Sequence, residues 1–210
     1  MCSKPHPFQK PLWILSTLSI LILTAVLLVS CASLSKKQCL AGEWQSIGVK
    51  DALYGRPQSR FEQHVKACQK VNIVPDRAVW LAGHKQGARS YCRPSNAYDE
   101  GRRGSTYYNI CEPDQHAIFV PIYNLGYKEY SLIRRRDSAE AELARYEKDL
   151  IEFEEMLRRA KIDSDQSDED LRSRRRKIKF AREHYADAVD DLANFRRRLQ
   201  FEGVRKMAGL

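Results

Sequence analysis

The sequence predicts a mainly α-helical protein: a small disulfide-stapled domain of short helices, followed by a long antiparallel coiled-coil helical hairpin. Three observations predict it. Four cysteines, Cys39, Cys68, Cys92 and Cys111, punctuate the middle of the chain. Turn and capping residues cut the same region into short helical lengths. After Lys128 apolar residues recur every seven positions through a highly charged background. With 43% apolar and 10% aromatic residues the chain has the means to bury a core, which excludes wholesale disorder.

The first segment is a different kind of sequence. Residues 13–29 carry no charge, follow Lys4 and Lys10, and close on Leu28-Val29-Ser30-Cys31. A basic start, an apolar middle and small residues at a cleavage point make an export signal rather than part of a fold. The ending resembles a bacterial lipobox, in which the cysteine becomes the lipidated, palmitate-bearing first residue of the mature protein. That resemblance makes 1–30 a lipoprotein signal peptide, Cys31 the lipidation site and 31–38 a lipid-anchored tether. Ala32, in place of the aspartate associated with inner-membrane retention, implies the outer membrane and a periplasm-facing protein. The alternative is an uncleaved helix, because 17 residues reach the lower limit for a bilayer span. It would give a single-pass inner-membrane protein with its C-terminus in the periplasm. Either way the lysines stay inside and the remainder is exported.

Export decides how the cysteines are read. Cys2 lies in the removable segment and Cys31 is taken by lipid, leaving an even number in an oxidising compartment: two disulfides, with three connectivities open. His64 and Cys68, four apart on one helix face, are the best case for metal. No Cys-x-x-Cys accompanies them, so no metal and no cofactor is expected.

Taken in order, 41–53 reads as a first helix, stopped by Gly55-Arg56-Pro57. Ser59 is placed to cap a second over 60–70, and Asp76 a third reaching about residue 90. Two helices joined by a tight turn run antiparallel, which favours Cys39–Cys68 and, by remainder, Cys92–Cys111. Residues 95–109 read as irregular, with Gly101-Arg102-Arg103-Gly104-Ser105 offering Arg102 and Arg103 as an anion-binding turn. An aromatic followed by glycine three or four residues on recurs at Trp44, Trp80, Tyr98 and Tyr123. Close helix packing is the favoured account, and a stacking groove for sugar or peptide around Trp44 and Trp80 the functional one.

The pattern Cys39-x4-Trp44-x3-Gly48-x2-Asp51, His64-x3-Cys68, Trp80-x2-Gly83-x3-Gly87-x3-Tyr91-Cys92 and Gly101-x2-Gly104-x2-Tyr107-x3-Cys111 resembles a family of small proteobacterial lipoproteins catalogued as a domain of unknown function. The resemblance covers about 39–127. It implies no activity and no catalytic residue. Asp51 and His64 are the one pair that resembles a carboxylate-oriented general base, and a structural hydrogen bond fits them equally well.

From 128 to 203 one register runs Leu132, Ala139, Tyr146, Phe153, Ala160 and the other Leu171, Ile178, Tyr185, Leu192, Leu199. A turn at about 162–169, capped by Asp165 or Ser167, would bring acids of the first helix to bases of the second. A tail, 204–210, follows. Residues 1–127 carry 15 Lys/Arg against 8 Asp/Glu and residues 128–210 carry 21 against 19, so the hairpin is charged but nearly balanced. With the export signal, that excludes nucleic acid as a partner.

The expectation is therefore an envelope lipoprotein that is not an enzyme: a binding or structural module with a protein or cell-wall partner, held to the membrane by its N-terminal lipid. The alternatives are a peptidoglycan- or glycan-acting enzyme using Asp51 and His64, or a scaffold that self-associates through its coiled coil.

Overall fold

The computed structural model describes residues 33–162 and 164–201. The apolar run, the lipobox and Cys31, like the tail, lie outside the described residues. Those residues are mainly helical, with no strand among them: α1 (Lys36–Ala41), α2 (Trp44–Leu53), α3 (Arg60–Gln69), α4 (Arg77–Tyr91), α5 (Pro94–Arg102), α6 (Pro113–Ala160) and α7 (Asp165–Phe201). No described helix is long and apolar enough to cross a membrane.

The chain divides into two compact units. The smaller, in its described part, holds 33–42 and 62–75. Ser35 caps α1 by accepting from the Gln38 amide, while the Gln38 side chain returns to the Ser35 amide. Residues 36–38, expected as tether, are therefore helix. Gly42, at φ 65°, ends α1, so the helix expected over 41–53 begins three residues later, at Trp44. Cys39 and Cys68 are bonded, with Cα atoms 5.4 Å apart.

The larger unit holds 43–61 and 76–201 in its described part. Asp76 caps α4 by accepting from the Val79 amide at 3.0 Å. Helices α2 and α4 cross where both carry glycine. A Cβ on Gly48 would lie 2.0 Å from the Trp80 carbonyl oxygen, and one on Gly83 2.0 Å from that of Gln45. One turn on, a Cβ on Gly87 would meet the Val49 carbonyl oxygen at 2.3 Å. Backbone lies against backbone, and no side chain fits between.

The same crossing occurs again between α5 and α6. A Cβ on Gly101 or Gly126 would each lie 2.1 Å from a carbonyl oxygen, that of Tyr123 and of Tyr98 respectively. The two crossings share a sequence register. Cys39-x8-Gly48 with Cys68-x14-Gly83 has the same spacing as Cys92-x8-Gly101 with Cys111-x14-Gly126. Cys92 and Cys111 form the second disulfide, at 5.6 Å between Cα atoms. The domain is thus an internal repeat of one unit: two cysteines, two helices and a glycine at each side of their crossing.

Within 95–109, expected as irregular, 95–102 are helix, since Pro94 starts α5 at a first-turn position where its missing amide costs nothing, while 103–109 form neither helix nor strand. The boundary expected at 127/128 falls within a helix. Helix α6 begins at Pro113 and runs unbroken through Gly126 to Ala160, carrying Pro121 within it. The core of the second repeat gathers Tyr91, Cys92, Ala97, Cys111 and Phe119. Tyr98, Leu132, Leu192, Phe195 and Leu199 make a further cluster where α7 packs on α6.

Beyond Leu132, α6 and α7 keep contact through Ala139, Ile178, Ala181 and Ala188, all buried. Ion pairs flank them: Glu129–Arg196, Arg135–Asp191, Glu147–Arg182 and Glu154–Arg175. The partner's number falls as the first rises. At the start of α7 the Ser164 hydroxyl, rather than Asp165 or Ser167, accepts from the chain, receiving the Ser167 amide at 3.2 Å.

Replacing Gly48 or Gly83 with alanine forces two backbones apart. We expect a loss of about 3 kcal/mol, the upper part of the range for overpacking. That corresponds to a Tm about 6–12 °C lower by thermal denaturation in a chain of this size. Gly101→Ala and Gly126→Ala should match them, as members of the same repeat.

Candidate functional site

Asp51 and His64 fall in different compact units and each serves a hydrogen bond within its own. The Asp51 carboxylate accepts the Trp80 indole N–H at 3.0 Å. Trp80 is 1% exposed, 5.3 Å from the Phe61 ring and 4.9 Å from the His84 ring, centroid to centroid. It therefore offers no face for stacking a ligand. Trp44, on α2, is buried too. His64 is 1% exposed and its Nδ1 lies 2.9 Å from the Ser33 hydroxyl. These four residues read as pieces of the fold.

A second buried histidine follows the same logic. His84 is enclosed, and its Nε2 donates to the Arg56 carbonyl at 2.8 Å, tying α4 to the loop after α2. Cys68, the other half of the metal reading with His64, is oxidised. Among the described residues no group of three or more His, Cys, Asp or Glu side chains is arranged to hold a metal ion.

The polar site that sequence reasoning missed surrounds Glu129. This residue sits in α6 one turn past Gly126, is 5% exposed, and lies among charged neighbours that read as a solvated face. The Tyr98 hydroxyl, from α5, donates to Oε2. Arg196, from α7, donates through Nε to Oε1 at 2.7 Å. Burial pushes the Glu129 carboxyl up, but those two hydrogen bonds, with the charges of Arg196 and Arg102, outweigh it and hold it below the usual range. The only advance signal was a pair of tyrosine and acid 31 residues apart at matching places beside Gly101 and Gly126.

Arg102 and Arg103 diverge. Arg103 pairs with Glu100 on its own helix. Arg102 lines a cleft of about 370 Å³ with Asp99, Glu129, Arg196 and Gln200. Two guanidinium groups and two carboxylates balance in charge there. The arrangement suits hydrogen-bonded recognition of a polar ligand. Nearby, Tyr107 and His116 are joined at 2.9 Å, and Tyr107, Phe119, Tyr123 and Tyr127 follow one another at ring separations near 6 Å or less.

Because its carboxyl is held low in the folded state, Glu129 stabilises the protein above the unfolded carboxylate pKa of about 4.3, and that contribution is lost as pH falls through the folded value. Glu129→Gln should therefore cost about 1–2 kcal/mol at pH 7, discounted for the half-exposed Arg196. The gap from the parent should close at acid pH, as followed by denaturant melts from pH 7 to 3.

Residues 43–128 match the model of a family described as protein of unknown function, DUF2799. No curated protein and no solved structure matches the chain. The match starts one residue before α2 and stops two after Gly126, so it spans both glycine crossings and leaves out α7 and most of α6. Over these residues the chain is similar to the DUF2799 family.

Proposed function

We propose that this protein is a non-catalytic binding and structural module of the bacterial envelope, held to the periplasmic face of the outer membrane by a lipid on Cys31. The observation that carries the reading is the pair of disulfides, Cys39–Cys68 and Cys92–Cys111. Such bonds persist in oxidising compartments and are rare in the cytosol, which supports export. The basic, apolar, small-residue order of 1–31 supplies the signal, and its cysteine supplies the anchor.

In this reading α6 and α7 form an antiparallel coiled-coil hairpin, an arm on the order of 45 Å long at ~1.5 Å per residue. Its basic runs pair with acids across the arm, at Arg174–Asp149, Arg175–Glu154 and Arg182–Glu147, and so are turned away from nucleic acid. Asp51, His64, Trp44 and Trp80 hold the fold. That leaves the Glu129 cleft and the sides of the arm as the surfaces offered to an envelope protein or to the cell wall.

Cys31→Ser tests the anchor. Cells making the parent should incorporate labelled palmitate into it and yield it in the outer-membrane fraction. The variant should lose the label and accumulate as the longer precursor. Unchanged processing and membrane attachment would instead make 13–29 a plain membrane helix and remove the lipoprotein reading.

A further inference from the structure

Midway along the arm, α6 and α7 leave a groove of about 570 Å³ between them. Leu150, Ile151 and Ile178 line it, and Ile151 is 57% exposed, so its apolar surface is covered by neither helix. Two ion pairs frame this patch. Glu147–Arg182 lies on one side and Glu154–Arg175 on the other, each with the acid on α6 and the base on α7. Ile151 falls between Glu147 and Glu154, and Ile178 between Arg175 and Arg182, so both ends of the patch stand about one helical turn away.

We propose that this face is an interface with a second copy of the same chain, the two arms pointing the same way. Two copies can stack such a face about a two-fold axis in two manners. With the axis across the arms, α6 lies over α6. Glu147 then faces Glu154 of the second copy, and Arg182 faces Arg175, so the four residues of the framing ion pairs all oppose like charges, and only Glu183, which also lines the groove, comes to the level of a base, Arg175. With the axis along the arms, α6 lies over α7. Glu147 then meets Arg182 of the second copy and Glu154 meets Arg175, so each ion pair becomes a square of alternating charge. Ile151 comes over Ile178 of the second copy and closes the groove. Lys179, which lines the patch and has no ion pair among the described residues, lies within reach of the acids of the facing α6. Exposed pairs of this kind add little binding energy, so the apolar centre supplies the attraction and the charges choose the orientation. The two framing ion pairs are self-complementary only for parallel arms. That is a reason to assign the patch to a second copy.

The full-length protein in detergent, at about 100 µM, should sediment as a dimer after correction for bound detergent. Ile151→Asp should return it to a monomer with its helical circular dichroism unchanged, because this side chain is already more than half exposed in the single chain. For orientation, Ile162→Cys puts one thiol at the tip of the arm, and a short bis-maleimide should link two copies through it. A monomeric parent overturns the proposal, whatever other protein the groove then takes. So does a dimer that survives Ile151→Asp. A dimer whose tip cysteines stay unlinked overturns the parallel arrangement.

Discussion

One steric constraint underlies the domain of short helices: at two helix crossings the backbones are too close for any Cβ. At Gly48 and Gly83, and again at Gly101 and Gly126, an added methyl would sit 2.0–2.1 Å from a carbonyl oxygen of the facing helix. Glycine within a helix costs about 1 kcal/mol against alanine. Here the cost is offset by contact between whole helix backbones, with Trp80 and Tyr123 at matching places beside the two crossings. The indole N–H of Trp80 goes to Asp51, and the hydroxyl of Tyr123 goes to the Ser105 carbonyl at 2.6 Å. In each repeat a large aromatic on the second helix reaches a hydrogen-bond acceptor in the segment after the first glycine.

The sequence carried more of this than it first yields. The spacing of aromatics and glycines read correctly as close packing of helices, and Asp76 as a cap. What periodicity hid was the repeat itself, because its two copies share little beyond their cysteines and glycines. Gly101 in α5, and Pro121 and Gly126 in α6, are residues that propensity counts against a helix. Tertiary contact at the crossing overrides that count. The mainly helical class was legible for a simpler reason: heptads in a charged background leave little else to form.

The site was less legible than the fold. Asp51 and His64 attracted notice because their residue types suit catalysis, yet each has a structural partner, Trp80 and Ser33. Glu129 escaped notice because burial of a charge is set by elements distant in sequence, here Tyr98 and Arg196. One helix unites these levels. Its first turns complete the second glycine crossing, Glu129 follows, and the remainder pairs with α7. Whatever engages the distal part of α6 acts on the same continuous helix that closes the domain.

The claim that glycine crossings hold the domain is tested most directly by native-state hydrogen exchange on the full chain with disulfides intact. The amides of α2 and α4 around Gly48 and Gly83, and those of α5 and α6 around Gly101 and Gly126, should be the last to exchange, and at rates matching global unfolding. If these amides exchanged at loop rates while the arm between α6 and α7 stayed protected, the arm would be the stable element and the account would be wrong.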